Sequence, residues 1–486
     1  MRIAIIGGGI AGLAAAYELE QARAGGSAVE YTLFEARERL GGVLSTEIVD
    51  GTVLERGPDS FISEKPAAAA LCRELGIGAQ LTPSNDVARK TFIVVKNRLV
   101  PLPDGLMFLV PTKLIPTALT RLFSLPTKIR MGMELLLPPR PTGMEDETVA
   151  SLVERHFGVE AVERLADPLL SGIYGGDATQ LSARAVLPRM VEMETKYGSL
   201  VRGMLAGHRK MQEMAKAAKK AGGTARTPGA IFTTLRGGMQ QMVDALTERI
   251  DAGSVRLNTS VSRLQKGAQG WILTANGVEE QFDGVILASS AWAVAELLKG
   301  VDALLAEDLG GIPYSSSITV NLVYDEARLG ALPEGFGFLV PASEGRAMLA
   351  CTFVHRKFLG RTAPGKAVLR AFLGGMRNEA LLAESDEALV ATVRRDLKEI
   401  LGKRVAGIGI EPEHTQVSRW RRAMAQYAPG HGERCKRIAE RVKQLPGLRL
   451  AGNAYDGIGI PDCIRLGRKA AKELAGESCA VVASSK

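Results

Sequence analysis

Gly7-Gly8-Gly9-Ile10-Ala11-Gly12 forms a GxGxxG turn directly behind the apolar run Ile3 to Ile6, and Glu35 closes the next apolar run 23 residues beyond Gly12. Residues of these types at this spacing suit dinucleotide binding. A helix starting at Ala11 points unpaired N–H groups and its positive end at a pyrophosphate, and glycines let the backbone approach it. An acid at Glu35, followed by Ala36, is spaced to accept the ribose hydroxyls, and its charge disfavours a 2′-phosphate. FAD and NAD are therefore both preferred over NADP. A second such arrangement stands at the far end, where the strand-like Leu448 to Ala451 is followed by a glycine loop from Gly452 to Asp462 and a helical pattern from Cys463 to Leu474. A helix N-terminus behind a glycine loop suits negative charge on a reduced flavin. Turns of this kind at both ends argue for one discontinuous cofactor domain and select FAD.

Other chemistry lacks its residues. The five cysteines include no CxxC, the five histidines form no HExxH, and GxSxG, a plausible Cys/His pair and a paired carboxylate motif are all missing. No metal site is expected and no side chain is assigned as catalytic. A redox cofactor would carry the difficult step while the protein binds, orients and excludes water.

These residues need several elements to position them, and 486 residues with 46% hydrophobic content suffice for two or three cores. The start reads as βαβ followed by glycine-rich turns at Leu40-Gly41-Gly42 and Arg56-Gly57-Pro58-Asp59-Ser60. Alternation over 91–102 predicts a hairpin, and helical periodicity runs from Val149 to about Lys220. An α/β layer returns at Ile231 to Ile250, short strands follow over 255–288, and a separate sheet is predicted from Ser317 to Gly374, with a helix from Leu389 to Leu401. The loose ends are Gly222 to Gly229 and the tail after Ala475. The fold class is α/β: a discontinuous Rossmann-like FAD domain (1–85, 221–300, 445–486), a mixed-sheet substrate domain (86–104, 301–444) and a helical domain (105–220).

A net charge of +8 suits an acidic small molecule, an anionic membrane or nucleic acid, but dense Lys/Arg runs, zinc fingers and RNP-like aromatics are missing, so nucleic acid is not expected. Scattered cysteines and no signal peptide point to the cytoplasm. Residues 105–133 stand apart, rich in Leu, Met, Phe and Pro, free of acids, and carrying Lys113, Arg121, Lys128 and Arg130. The stretch is too interrupted to span a bilayer. It reads either as a cover over the substrate cleft or as a peripheral contact on the inner face of the cell membrane.

Five blocks carry a family resemblance: Gly57-Pro58-Asp59-Ser60, Leu170-Ser171-Gly172-Ile173-Tyr174-Gly175-Gly176-Asp177, Gly335 to Pro341, Trp420 with Gln426-Tyr427, and Gly457-Ile458-Gly459-Ile460-Pro461-Asp462-Cys463-Ile464. With the opening turn they resemble the oxygen-dependent protoporphyrinogen oxidase and coproporphyrinogen III oxidase family within the flavin amine oxidase superfamily. The resemblance implies hydride transfer from a porphyrinogen to flavin N5 and reoxidation by dioxygen to hydrogen peroxide, three rounds yielding the porphyrin. Protoporphyrinogen IX is the first substrate expectation and coproporphyrinogen III the alternative; an FAD amine oxidase or carotenoid desaturase is more distant, and a porphyrin-carrying, non-enzymatic flavoprotein belongs to another class.

The resemblance also implies roles by position. Gly7, Gly8, Gly9, Ile10, Ala11, Gly12, Glu35 and Ala36 would hold the adenosine and pyrophosphate, and Val261 would meet the adenine side. Gly42, Val43, Gly57, Pro58, Asp59 and Ser60 would line the ribityl and ring region, Trp420 would pack near the flavin, and Gly457, Ile458, Gly459, Ile460, Pro461 and Asp462 would close over its pyrimidine edge. Asp59 has a second reading as the cap of a following helix. Leu339 and Phe353 would sandwich the porphyrinogen, with Gly172 and Tyr174 at its edge. Plant and animal members place an arginine where this chain has Thr91, so Arg89, Lys90 and Arg98 become candidates for gripping the propionates. Ferrochelatase and a homodimer stay open as partners.

Overall fold

A computed structural model describes residues 1–107, 109–139, 145–220 and 230–484. The loose end expected at Gly222 to Gly229 lies outside them. The tail after Ala475 instead continues a helix, Ile460–Ser484.

Five parallel strands drawn from the start, middle and end of the chain form one sheet, in the order Val255–Arg256, Glu30–Phe34, Arg2–Ile6, Gly284–Leu287, Leu448–Leu450. Ile3 to Ile6 are buried on both faces, as a central parallel strand requires, which is why they read as an unbroken apolar run. The opening helix Ile10–Ala24 and the closing helix Ile460–Ser484 cover one face together, pinned by Arg468 Nε to Glu18 at 2.6 Å. An antiparallel three-stranded sheet, Val261–Lys266, Trp271–Ala275 and Val278–Phe282, packs through Leu264, Trp271 and Leu273 against the other.

The second large sheet has seven strands, ordered His414–Ala425, Tyr314–Asp325, Lys366–Gly374, Met348–Phe353, Gly337–Leu339, Thr91–Val95, Arg98–Pro101. It is mixed, because Gly337–Leu339 pairs parallel to Thr91–Val95 while its other pairings are antiparallel. Ile318, Val320, Leu322, Leu369, Ala371 and Phe338 pack on the helix Asp386–Leu401 through Leu389, Val393 and Leu397. Alternation then sends Thr319, Asn321, Arg370, Phe372 and Leu339 to the opposite face. That face meets the glycine-rich segment, with Thr319 Oγ1 donating to the Arg56 carbonyl at 2.8 Å and Asn321 Nδ2 to that of Glu55 at 3.0 Å. Strand His414–Ala425 escaped sequence reading because Arg and Gln interrupt its alternation.

The helical stretch from residue 149 is several helices, including Val149–Phe157, Asp167–Tyr174, Pro188–Tyr197 and Leu200–Lys220. Gly158, Gly175 and Gly198 stand at breaks with positive φ, so one continuous periodicity turns corners there. A buried ionic cluster binds these helices, with Glu134, on the short turn Glu134–Leu136, accepting from His156 Nδ1 at 2.9 Å, Ser199 Oγ at 2.6 Å and the Leu200 N–H at 2.5 Å.

Candidate functional site

Glu35 is buried beneath the first turn, its Oε2 accepting from the Gly8 N–H at 2.7 Å and Oε1 from the Arg37 N–H at 3.0 Å. Gly41 donates to the Gly8 carbonyl at 2.8 Å, so the first and second glycine turns share one wall. Ala36 is exposed at its lip, and Val261 packs half-buried against the cluster containing Ile6 and Phe34. A Cβ on Gly9 would meet no protein atom within 4 Å, whereas one on Gly12 would stand 1.9 Å from the Gly7 carbonyl oxygen. One glycine leaves room for a ligand; the other lets helix and turn touch. Arg39, missed in the sequence, shapes the second turn by donating to the carbonyls of Leu40 at 3.0 Å, Leu44 at 3.1 Å and Gly42 at 2.5 Å.

Gly57 lies against Val43, whose carbonyl oxygen would sit 1.8 Å from an added Cβ. Trp420 Nε1 donates to the Arg56 carbonyl at 2.8 Å and lays its half-buried ring beside Gly57 and Val43. Asp59 caps no helix, since the strand Phe61–Ile62 follows it. Its carboxylate instead accepts from Lys357 Nζ at 3.1 and 3.2 Å and from Ser60 Oγ at 2.6 Å. Burial opposes its ionisation, but the Lys357 ammonium and Arg370 guanidinium outweigh that and hold it far below the usual carboxylate range.

At the closing loop, the Gly457 N–H donates to Tyr427 Oη at 3.0 Å, and that hydroxyl donates to the Asn453 carbonyl at 2.9 Å. Ile458 packs against the same cluster as Val261. The helix begins at Ile460, with Pro461 next and Asp462 in its first turn, where Asp462 Oδ2 accepts from the Gly459 N–H at 3.3 Å. Lys65 Nζ reaches both Asp462 oxygens at 2.8 and 2.6 Å. The positive helix end therefore already faces a carboxylate, and a half-exposed ammonium compensates it.

Gly172 and Tyr174 sit on helix Asp167–Tyr174 across from Leu339, whose Cδ2 would lie 3.2 Å from a Cβ on Gly172. Burial and the nearby Asp462 charge push the Tyr174 hydroxyl up to about 12, so it stays protonated. Gln426 Nε2 donates to the Tyr174 carbonyl at 2.7 Å. Adjacent residues Gln426 and Tyr427 thus tie the wall helix and the closing loop to one strand. Arg377, unnoticed in the sequence, clamps Asp167 at 2.6 and 2.9 Å and Asp177 at 2.7 Å.

Phe353 departs from expectation. It is fully buried on the far face with Phe338, ring centroids 6.1 Å apart, and cannot sandwich a ligand with Leu339. Phe353 stands three residues from Ala350, the register partner of Leu339, so strand alternation puts it on the opposite face from the one the resemblance implied. The aromatic on Leu339's face is Phe372, half-buried and paired with Ala350 and Thr319. The basic candidates all face solvent: Arg89, Lys90 and Arg98 are exposed, with Lys90 Nζ 3.9 Å from an exposed Glu334. Thr91 shares the inner face, and its row runs through Gly337 and Thr352 to the buried Arg370, whose guanidinium stands 4.9 Å over the Phe372 ring. A Cys/His pair that the sequence concealed does form, Cys435 Sγ to His431 Nε2 at 3.3 Å. Burial raises that thiol to about 11 and lowers the imidazole to about 4, so neither is poised for chemistry.

Residues 10–475 match the family of flavin-containing amine oxidoreductases. The chain belongs to that family. It is 34% identical over 474 residues to coproporphyrinogen III oxidase of Bacillus subtilis (strain 168), covering 97% of each chain. Against the chloroplastic protoporphyrinogen oxidase of Nicotiana tabacum it is 28% identical, covering 97% of this chain and 85% of the other. Among solved structures, a protein from Exiguobacterium sp. 255-15 assigned as a protoporphyrinogen oxidase superposes with a TM-score of 0.84 at 34% identity, covering 98% and 99% of the two chains. Cyclohexylamine oxidase from Brevibacterium oxydans IH-35A shares the fold at a TM-score of 0.68 and 18% identity.

This flavin amine oxidoreductase is an FAD-dependent oxidase. The open space over Gly9 and the N-terminus of helix Ile10–Ala24 fit the cofactor's pyrophosphate. FAD held there would supply the hydride acceptor and the centre that reacts with dioxygen. The glycine turns, Trp420 and the Gly457 to Asp462 loop are the groups available to hold it.

Proposed function

We propose that this oxidase converts a porphyrinogen to its porphyrin, with coproporphyrinogen III preferred over protoporphyrinogen IX. The observation that carries this reading is the apolar wall of Leu339 and Phe372 facing Gly172 and Tyr174, next to the turns assigned to the flavin, a lining suited to a large flat ring. Proteins named coproporphyrinogen III oxidase, 31–34% identical in Bacillus subtilis, Propionibacterium freudenreichii and Staphylococcus aureus, support the tetracarboxylate substrate, as does the uncharged Thr91. The half-exposed Lys65, held by Asp462 near Tyr174, is the cation we assign to a propionate. Leu339, Phe372, Gly172 and Tyr174 orient the ring and exclude water; the flavin segments keep the assignments made from sequence, whereas on the substrate side Phe353, Arg89, Lys90 and Arg98 give way to Phe372 and Lys65. The three-part division at 1–85, 221–300 and 445–486, 86–104 and 301–444, and 105–220 is proposed with it.

Offered both porphyrinogens at equal concentration, the protein is expected to generate porphyrin fluorescence and peroxide mainly from coproporphyrinogen III. Lys65→Met is expected to raise KM for coproporphyrinogen III about tenfold with kcat changed less than twofold, the loss of one charge-assisted contact. Bound FAD without accelerated porphyrin formation from either compound defeats the proposal.

We also propose peripheral docking on anionic lipid through the 105–133 segment read from sequence, carried by its described residues 109–133 and the adjoining Leu136. Ile115, Leu119, Leu125, Ile129, Met133 and Leu136 are each more than half exposed beside the exposed cations Lys113, Arg121 and Arg130, while Glu134 is buried. No helix among the described residues is long and apolar enough to cross a membrane. Lys113→Glu combined with Arg121→Glu is expected to cut sedimentation with phosphatidylserine vesicles at least fivefold. Unchanged sedimentation favours the cleft-cover reading.

A further inference from the structure

Behind Gly57 to Ser60 the substrate sheet buries more positive than negative charge. Arg361 is fully buried, Arg370 is 3% exposed and Lys357 12%, facing Glu55 at 3% and Asp59 at 13%. Arg361 pairs with Glu55 and donates to Thr234 Oγ1 at 3.0 Å. The Glu55 carboxylate also accepts from the Met239 N–H at 2.8 Å and Thr46 Oγ1 at 2.7 Å, so its capacity is taken. Lys357 occupies both oxygens of Asp59, its ammonium 4.9 Å from the ring centroids of Phe232 and of Phe358. Arg370 is the third cation. It donates through Nη2 to the Gly57 carbonyl, its Nη1 stands 3.6 Å from the Asp59 oxygen that Lys357 already holds, and its Nε has no partner. The neighbouring Arg56 and Glu47, 2.7 Å apart, cancel as a pair. Three cations therefore face two carboxylates in one enclosed node.

We propose that Arg370, together with Lys357, is a positioning residue whose surplus positive charge behind Gly57 favours the two-electron-reduced, negatively charged form of FAD. This rests on the reading that Gly57 to Ser60 line the flavin ring. Charge placed near the ring's N1 and N5 edge is a lever a protein holds over the cofactor's electronics, and an enclosed site screens it poorly. The titration behaviour agrees. Asp59 is held ionised despite burial, and Arg370 is lowered by its own burial and by Arg361, although Asp59 and Glu55 oppose this. Arg370 also holds the Gly57 carbonyl, so charge and loop geometry arrive through one guanidinium.

Redox titration of the FAD-loaded protein against reference dyes tests the sign of the charge effect. In Arg370→Met and Lys357→Met the reduced-to-oxidised ratio at a fixed potential is expected to fall about tenfold, equivalent to roughly 30 mV for a two-electron couple. Asp59→Asn is expected to raise it by a similar factor, and Arg370→Lys to stay within threefold of wild type. A purely structural role moves all of them the same way, and that outcome overturns the proposal. Lys357→Met touches no part of Gly57, so it reports the charge even where Arg370→Met fails to fold. Trp420→Phe monitors the ring's position through the visible spectrum of bound FAD. A spectral change there with no opposed shifts leaves the ring placement standing and overturns the charge proposal; no spectral change and no shifts overturns the ring placement itself.

Discussion

Gly9→Ala is expected to leave the apoprotein as stable as wild type and to weaken FAD binding at least a hundredfold. Gly9 has φ −71° and ψ 179°, a conformation any residue adopts, and a Cβ there meets no protein atom within 4 Å. Folding therefore does not register the methyl. The cofactor does, because the same space lies in front of the first N–H groups of helix Ile10–Ala24, where a pyrophosphate must approach. Losing two hydrogen bonds to a charged phosphate at about 1.5–3 kcal/mol each exceeds the hundredfold expected. Gly12→Ala behaves differently. Its Cβ would lie 1.9 Å from the Gly7 carbonyl oxygen, so helix and turn must separate, and both apoprotein stability and FAD binding fall. Thermal denaturation of the two apoproteins, with calorimetric FAD titration, separates these outcomes. A Gly9→Ala protein that purifies with a full complement of FAD would falsify the placement of the pyrophosphate.

His156→Leu is expected to destabilise the protein by about 3–5 kcal/mol at pH 6, the cost of leaving buried carboxylates without their cation. His156 and Glu134 are fully buried, and the imidazole bridges Glu134 at 2.9 Å and Glu194 at 3.3 Å. Burial by itself lowers the His156 pKa, but the two carboxylates outweigh it, so the folded value is raised above 6.5. A raised histidine contributes stability that is fully present below its unfolded pKa and is lost as pH climbs through the folded one. Glu194 is the converse. Burial raises it, but His156 and Arg155 hold it at about 2, so its contribution is present above its ordinary value of 4.5 and fades as pH drops. The cluster is strongest between about pH 4.5 and 6.5. Urea denaturation should show the gap between wild type and His156→Leu narrowing from pH 6 to pH 9. An equal gap at both values would show that the imidazole acts as a neutral space-filler.

Motifs whose function depends on neighbours in the chain are legible in the amino-acid order alone. Ile3 to Ile6, the GxGxxG turn and Glu35 form a local βαβ unit, so spacing alone carries the geometry, and Glu35 indeed lies under the Gly8 amide at 2.7 Å. The glycine loop ahead of Ile460 is equally local, and its pairing with the first turn foretold a cofactor fold drawn from both chain ends. Side-chain direction across a bulged sheet was not legible. Cross-strand register decides it: Phe353 pairs with Leu369 in the far core, while Phe372 pairs with Ala350 and Thr319 on the inner face beside Leu339. Long-range charge pairing was equally hidden, since Asp59 meets Lys357 across 298 positions and Arg377 meets Asp167 across 210. The sequence by itself determined the family, the cofactor and the turns available to grip it, because those reside in short contiguous patterns. Only the tertiary structure decided which side chains share a face and which charges cancel, because strand register and ion pairing are set by contacts between segments far apart in the chain.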